Sequence, residues 1–236
     1  MHVAESLCTA EEKLTTLTLG EAAQHSWHPL NLVVLERTET PPLTLELGLD
    51  ESSLAHAEGL MTKQPVRAFA LSLLRLAPDS TLWDLGAGSG AVSLEAARLL
   101  SRGQVVAVER QPERVQHIKE NVTRTGAWLV EVVHASLEEF LENGSSPPTH
   151  IFLGGGASSA VLTQCAALLS PGGRLVVAAV LLSTLENARA VISRLGWPFT
   201  VHQLMHHASS PLGTDLRLVP SNPIFLLETQ KPSSDT

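Results

Sequence analysis

The sequence predicts an α/β protein with a mostly parallel seven-stranded sheet, covered on both faces, and an antiparallel hairpin at one edge. Three observations carry that prediction. From residue 61 onward, short apolar runs alternate with segments of helical periodicity, the order that parallel strands joined by crossover helices require. The first such strand leads into a glycine-rich turn, Gly86, Gly88 and Gly90, that opens a helix. The last two runs, 199–207 and 222–229, have no helix between them, which makes them antiparallel neighbours.

Residues 1–45 hold one strand, LNLVVLER (30–37), and a short helical signal at 18–24, where Thr18 and Glu21 have capping-box spacing. One strand and one helical turn cannot bury a core, so this stretch is expected to be an extension or a piece of another domain. Pro41-Pro42 interrupts regular structure, and residues 46–60 are expected to be a linker. The main domain is expected over 61–230. It opens with a helix that has Thr62 as its N-cap and Val66, Phe69, Ala70 and Leu73 on one face.

STLWDL (80–85) is the first strand of that domain and 90–101 the next helix. QVVAVE (104–109) is a strand, and 112–124 a helix opened by Pro112, whose fixed φ and missing N–H suit a first turn. WLVEVVHA (128–135) and THIFLG (149–154) are further strands, with helices at 136–143 and 158–169. The turn Pro171-Gly172-Gly173 introduces RLVVAAVLL (174–182), uniformly apolar and therefore expected to be buried on both faces. A helix over 184–195 precedes the two final strands, and 231–236 is expected to be a frayed tail.

Composition narrows the function. The chain has 236 residues, 44% of them hydrophobic, and a net charge of −8 from 24 acidic and 16 basic residues. That charge argues against a nucleic-acid partner, and 4% aromatics with no tyrosine argue against base stacking. No apolar run reaches the ~18 residues of a membrane span, and the N-terminus lacks a basic-then-apolar signal order. Cys8 and Cys165 have no metal-ligand spacing and suit a reducing compartment. A cytoplasmic protein without a bound metal is expected.

The turn GAGSGA (86–91) admits two ligands. It fits the dinucleotide fingerprint, with Glu109 near the distance of a ribose carboxylate, and it fits D-x-G-x-G-x-G, the pattern of S-adenosylmethionine binding. Asp84 separates them by charge. A carboxylate beside the turn repels a pyrophosphate and attracts the ammonium of the methyl donor, so the donor is favoured; a turn that merely lets helix and strand pack closely is the plain alternative. Glu109 ends its strand at the ligand edge and is a candidate for the ribose hydroxyls, and Ala135 and Ser136 end theirs where adenine would lie.

Leu153-Gly154-Gly155-Gly156 replaces the proline-rich segment that grips an amino group in methylases of DNA bases, and offers a flat floor next to the donor. His206 and His207 are adjacent on an expected strand and point to opposite faces, so they cannot share an ion. One of them facing the cleft is a candidate proton donor.

Six segments together resemble the decarboxylating precorrin C-15 methyltransferases of cobalamin biosynthesis over about 48–230: GLMTKQPVRA, WDLGAGSGAVSLEAA, VVAVERQPE, IFLGGG, LSPGGRLVVAAVLL and PLGTDLRLVPSNPIFLL. Residues 2–22 and 28–37 resemble the final segment of a precorrin C-5 methyltransferase domain, which some relatives carry fused ahead of the C-15 domain. The resemblance implies a Rossmann-like class I fold, S-adenosylmethionine as donor, a tetrapyrrole substrate and a homotetramer. It also implies donor contacts from Thr62, from Gly86, Ala87, Gly88, Ser89 and Gly90, from Glu109 and Ala135, with Gly154 in the floor beside them. Lys63, Arg67, Arg217 and His207 are candidates on the substrate side. The arginine that often precedes P-L-G in the family is absent, since residues 206–210 read HHASS. Another small-molecule methyltransferase, or a methyltransferase-like protein that binds without catalysis, is the alternative.

Overall fold

The computed structural model describes residues 1–36, 38–56, 61–143 and 146–233. The chain forms two compact units, Met1–Thr40 and Pro41–Thr236.

The first unit is a three-stranded antiparallel sheet of β1 (His2–Glu5), β2 (Lys13–Thr16) and β3 (Asn31–Val34) in the order β2-β1-β3, with helix α1 (Leu19–Ala22) between β2 and β3. The capping box forms: Glu21 N–H donates to Thr18 Oγ1 at 3.2 Å, and Thr18 N–H donates to Glu21 Oε2 at 2.8 Å. Two strands beyond the one expected are therefore present. HVAE and KLTT are four residues long and carry no apolar alternation, so pairing rather than local preference makes them strands. Among the described residues only Val3 and Ala22 are buried apolar side chains here, and β3 is exposed along its length.

In the second unit, residues 46–56 correct the expected linker. Leu49 and Leu54 are buried in the core, a short 3-10 turn spans Glu51–Ser53, and Leu49 N–H donates to Glu95 Oε1 at 3.1 Å. Residues 57–60 lie outside the described residues. Helix α2 (Gln64–Leu74) begins one residue later than expected, with Lys63 and not Thr62 at the N-cap and Pro65 in its first turn.

Then follow β4 (Thr81–Leu85), α3 (Ala91–Leu99), β5 (Gln104–Glu109), α4 (Pro112–Thr125), β6 (Val130–His134), α5 (Leu137–Asn143), β7 (His150–Leu153), α6 (Ser159–Leu168), β8 (Arg174–Ala179) and α7 (Leu182–Arg194). The chain ends in β9 (Phe199–Leu204), β10 (His207–Leu212), β11 (Asp215–Pro220) and β12 (Ile224–Gln230). Seven strands form one sheet in the order β6-β5-β4-β7-β8-β12-β9, parallel from β6 to β8 and antiparallel through β12 and β9. This is the Rossmann-like class I methyltransferase arrangement.

Strand residues alternate between two core layers. Leu82, Ala107 and Phe152 pack under α2, α3 and α4, while Trp83, Leu85, Val108 and Leu153 pack under α5, α6 and α7. Asp84 belongs to the first face, where α3 meets it.

Three endings differ from expectation. β8 stops at Ala179, and Val180, Leu181 and Leu182 are exposed as the chain turns into α7. β9 stops at Leu204, and β10 and β11 form a separate exposed hairpin with Leu212 opposite Asp215 around Gly213-Thr214. Lys231 is not part of a frayed tail: its ammonium caps α6 by donating to the carbonyls of Ala166, Ala167 and Leu169 at 2.9, 3.0 and 2.6 Å. Residues 234–236 lie outside the described residues. Among the described residues no helix is long and apolar enough to cross a membrane.

Candidate active site

Because β4 to β8 run parallel, their carboxyl ends meet at one edge of the sheet, and the segments that leave them line two cavities. The first cavity, about 350 Å³, is lined by the glycine turn after β4, Glu109 and Arg110 after β5, Ala135 after β6 and Gly154, Gly155 and Gly156 after β7. The second, about 780 Å³, shares Thr62 and those three glycines and extends over Val180, Leu181, Leu204 and Ile224.

The glycine turn is held from within. Gly86 and Ala87 N–H both donate to the Val108 carbonyl, at 2.9 and 3.0 Å, and Gly88 N–H donates to Glu109 Oε2 at 3.0 Å. Three consecutive backbone donors are thus consumed, which leaves no fan of N–H groups from these residues for a pyrophosphate. Gly86 sits at φ +75°, and a Cβ there would lie 3.2 Å from Gly155 N, so the turn and the glycine floor pack backbone against backbone. Ser89 lines the cavity with them. Gly90 does not; it is the left-handed N-cap of α3 and packs on Ile118.

Asp84 lines the cavity from below and is only 1% exposed. Its Oδ2 accepts the Ser93 hydroxyl at 2.5 Å, and burial pushes its carboxyl up to about 6 despite that bond. Glu109, 4% exposed, accepts the N–H groups of Arg110 and Gln111 on Oε1, each at 2.9 Å, as well as that of Gly88. Each carboxylate oxygen has two lone-pair directions, so Oε1 is fully used and Oε2 keeps one direction, which a ribose hydroxyl can take.

Ala135 lines the cavity and donates its N–H to the Glu109 carbonyl at 3.2 Å, whereas Ser136 does not line it: its hydroxyl accepts Glu139 N–H at 3.1 Å in the first turn of α5. Arg110, Arg114 and Glu138 also line the cavity and were not singled out from sequence. The available signal was position, since Arg110 follows the strand-ending Glu109 and Arg114 lies one helical turn on.

The substrate-side candidates are dispersed. Lys63 lines the second cavity with its ammonium 2.6 Å from Glu51 Oε2. Arg67 is excluded as a substrate contact: it is fully buried, 2.8 Å from Glu95, and donates to the Thr62 carbonyl at 2.7 Å and to the Leu49 carbonyl. It holds Thr62 at the junction of the cavities. Asn121 acts similarly, bonding Ala55 N–H and C=O at 2.8 and 2.9 Å and the Ser89 carbonyl at 3.0 Å, which ties 49–56 to the glycine turn. Arg217 and His207 line neither cavity; they lie on the exposed hairpin, opposite Ser210 and Pro220. The histidine in the second cavity is His206, which lies between β9 and β10 because the expected continuous strand is broken there.

Residues 54–231 match the precorrin methyltransferase domain family. The chain is 34% identical to the cobalt-precorrin-6B C(15)-methyltransferase (decarboxylating) of Salmonella typhimurium, over 77% of this chain and 95% of that protein. It is 35% identical to the precorrin-6Y C(5,15)-methyltransferase [decarboxylating] of Sinorhizobium sp, over 76% of this chain and 44% of that longer protein. The crystal structure of a precorrin-6Y C5,15-methyltransferase from Geobacter metallireducens superimposes with a TM-score of 0.74 at 32% identity, covering 78% of this chain and 97% of the other.

Proposed function

We propose a specific reaction for this chain, which belongs to the precorrin methyltransferase family and uses S-adenosylmethionine as methyl donor: it methylates C-15 of a late precorrin and decarboxylates the C-12 acetate in cobalamin biosynthesis. The observation that carries this reading is the pair of cavities that meet over Thr62 and the glycine floor. A compact polar cavity opens onto a larger apolar one, and a floor without side chains lets a flat macrocycle lie against the donor.

The residues present suit the donor. Carboxylates at Asp84 and Glu109 match an ammonium and a ribose diol, and the consumed N–H groups of the turn disfavour a phosphate. The donor supplies a methyl group on a sulfonium, which needs alignment with a nucleophilic carbon and no strong base. Glu109 orients the ribose, Asp84 pairs with the ammonium, and Thr62, Gly86 to Ser89, Ala135 and Gly154 shape the walls. Lys63 holds a peripheral carboxylate of the tetrapyrrole, exchanging part of its contact with Glu51. The resemblance of residues 1–45 to the end of a C-5 methyltransferase domain supports reading the first unit as a remnant of that domain. Assembly as a homotetramer in the cytoplasm follows from the family resemblance.

The test is incubation of the protein with cobalt-precorrin-6B and labelled S-adenosylmethionine, with mass spectrometry of the product. The expected product gains one methyl at C-15 and loses one carboxyl group. A methyl at C-5, or no turnover by protein that binds the donor, overturns the reading.

A further inference from the structure

We propose that His206 is the catalytic proton donor for the decarboxylation, an assignment that rests on reading the second cavity as the tetrapyrrole site. Four buried side-chain polar atoms have no hydrogen-bond partner among the described residues: Trp83 Nε1, Glu95 Oε2, His117 Nδ1 and His206 Nδ1. Of the four residues only His206 lines either cavity. That nitrogen is shielded from solvent even with the cavity open, so a ligand meets His206 through the part of it that lines the cavity, and no hydrogen bond from Nδ1 to another part of the protein competes for the ring.

The neighbouring groups make His206 the one that fits. Lys63 is engaged by Glu51, Arg67 is consumed by Glu95 in the core, and Arg217 and His207 are out on the hairpin. His206 itself is fixed by its backbone, since its carbonyl accepts Ser221 N–H at 2.8 Å across the mouth of that hairpin. The same cavity is lined by the buried Val66 and Ala178 and by the half-buried Leu204 and Ile224. A carboxylate brought among these side chains loses hydration, and leaving as neutral carbon dioxide relieves that loss.

The step balances. The bond between the acetate methylene carbon and its carboxyl carbon breaks, carbon dioxide leaves, and the electron pair passes into the conjugated macrocycle. The imidazolium of His206 gives its proton to the methylene carbon as that bond breaks, so that proton transfer belongs to the step that releases carbon dioxide. The carbon becomes a methyl group, and neutral His206 regains a proton from water. No oxidant or reductant enters.

Single-turnover reactions of the full chain with cobalt-precorrin-6B and S-adenosylmethionine, following carbon dioxide and the methylated product separately, test the assignment. His206→Gln keeps a polar side chain of similar reach but cannot donate a proton in this way. Carbon dioxide release is expected to slow at least about a hundredfold, the lower end of a general acid's contribution. Methyl transfer should slow by less than about tenfold and donor affinity change by less than about twofold, so that methylated product still carrying its carboxyl group accumulates. His206→Asn should show the same split, and calorimetry of donor binding verifies that each variant is folded. Unchanged carbon dioxide release in either folded variant, or equal slowing of both events, overturns the assignment. Failure of the underlying reading looks different: the unmodified protein would bind the donor yet neither methylate nor decarboxylate this substrate, which overturns both.

Discussion

The two cavities share four residues and are built on opposite principles. Around the first, polar groups are already bonded within the protein: Glu109 accepts three backbone N–H groups, Asp84 accepts Ser93, and the turn's amides are consumed by Val108 and Glu109. Around the second, the walls are mostly apolar, the rim residues Val180, Leu181 and Met205 are exposed, and His206 carries an unpartnered nitrogen. The first is preorganised for one ligand of fixed shape, so its affinity depends on geometry. The second gains by covering apolar surface and tolerates small displacements. Substitutions should therefore act steeply on ligand affinity at the first cavity and shallowly on ligand affinity at the second.

The sharpest attempt to break that contrast is Gly86→Val. The left-handed backbone adds about 1–2 kcal/mol of strain for a side chain, and the Cβ contacts Gly155 backbone atoms at 3.2 and 3.4 Å, which cannot move away as a side chain would. Donor affinity measured by calorimetry should fall on the order of a hundredfold. A loss under about threefold would mean that the turn is not rigid.

The next effect is set by proton linkage at Asp84. Its carboxyl sits at about 6 rather than 3.8, chiefly because it is buried. Below about 6 it is neutral in the free protein, and pairing with an ammonium must expel that proton. Donor affinity should therefore fall about tenfold for each pH unit below about 6, and Asp84→Asn should flatten the dependence. Stability runs the other way. The neutral buried form favours folding fully below 3.8, and that contribution is lost as pH rises through about 6.

At the second cavity, Lys63→Ala should raise the KM for the tetrapyrrole about threefold to fivefold, the scale of a half-exposed ion pair, with donor affinity unchanged. A larger shift would make this cavity as exacting as the first. Smallest of all is removal of Met1–Thr40, a separate unit by its contacts. Donor affinity should stay within about twofold, and a truncated protein that fails to bind would show that the site depends on the first unit.

Much of this architecture was legible because the second unit repeats two distinct periodicities, and the helices and strands from β4 to β8 lie close to where the alternation puts them. Asp84, the glycine turn and Glu109 were legible as a set because strand ends in a parallel sheet converge. The misses have physical causes. β1 and β2 are too short to show a period, and the hairpin of β10 and β11 is exposed on both faces, so burial imposes no pattern on it. Residues 46–56 look like a linker because their fit depends on two leucines, Leu49 and Leu54, and on polar partners, Glu95 and Asn121, that lie 46 and 66 positions away. His206 and His207 were indistinguishable until the break after Leu204 placed one in a cavity and the other on a hairpin.

The strand order β8-β12-β9 has a consequence for synthesis. β12 lies between two strands made before it and pairs with both, with Phe225 facing Ala179 on one side and Gln203 on the other. While the ribosome is still adding residues, β9 has no neighbour and β8 presents an open edge, although the rest of the parallel sheet can already assemble. The last sheet strand is inserted, not appended. Its pairing with β8 spans about fifty residues, a slow closure for the chain to make, so the half-built protein passes through an interval in which an apolar edge is available to another nascent copy.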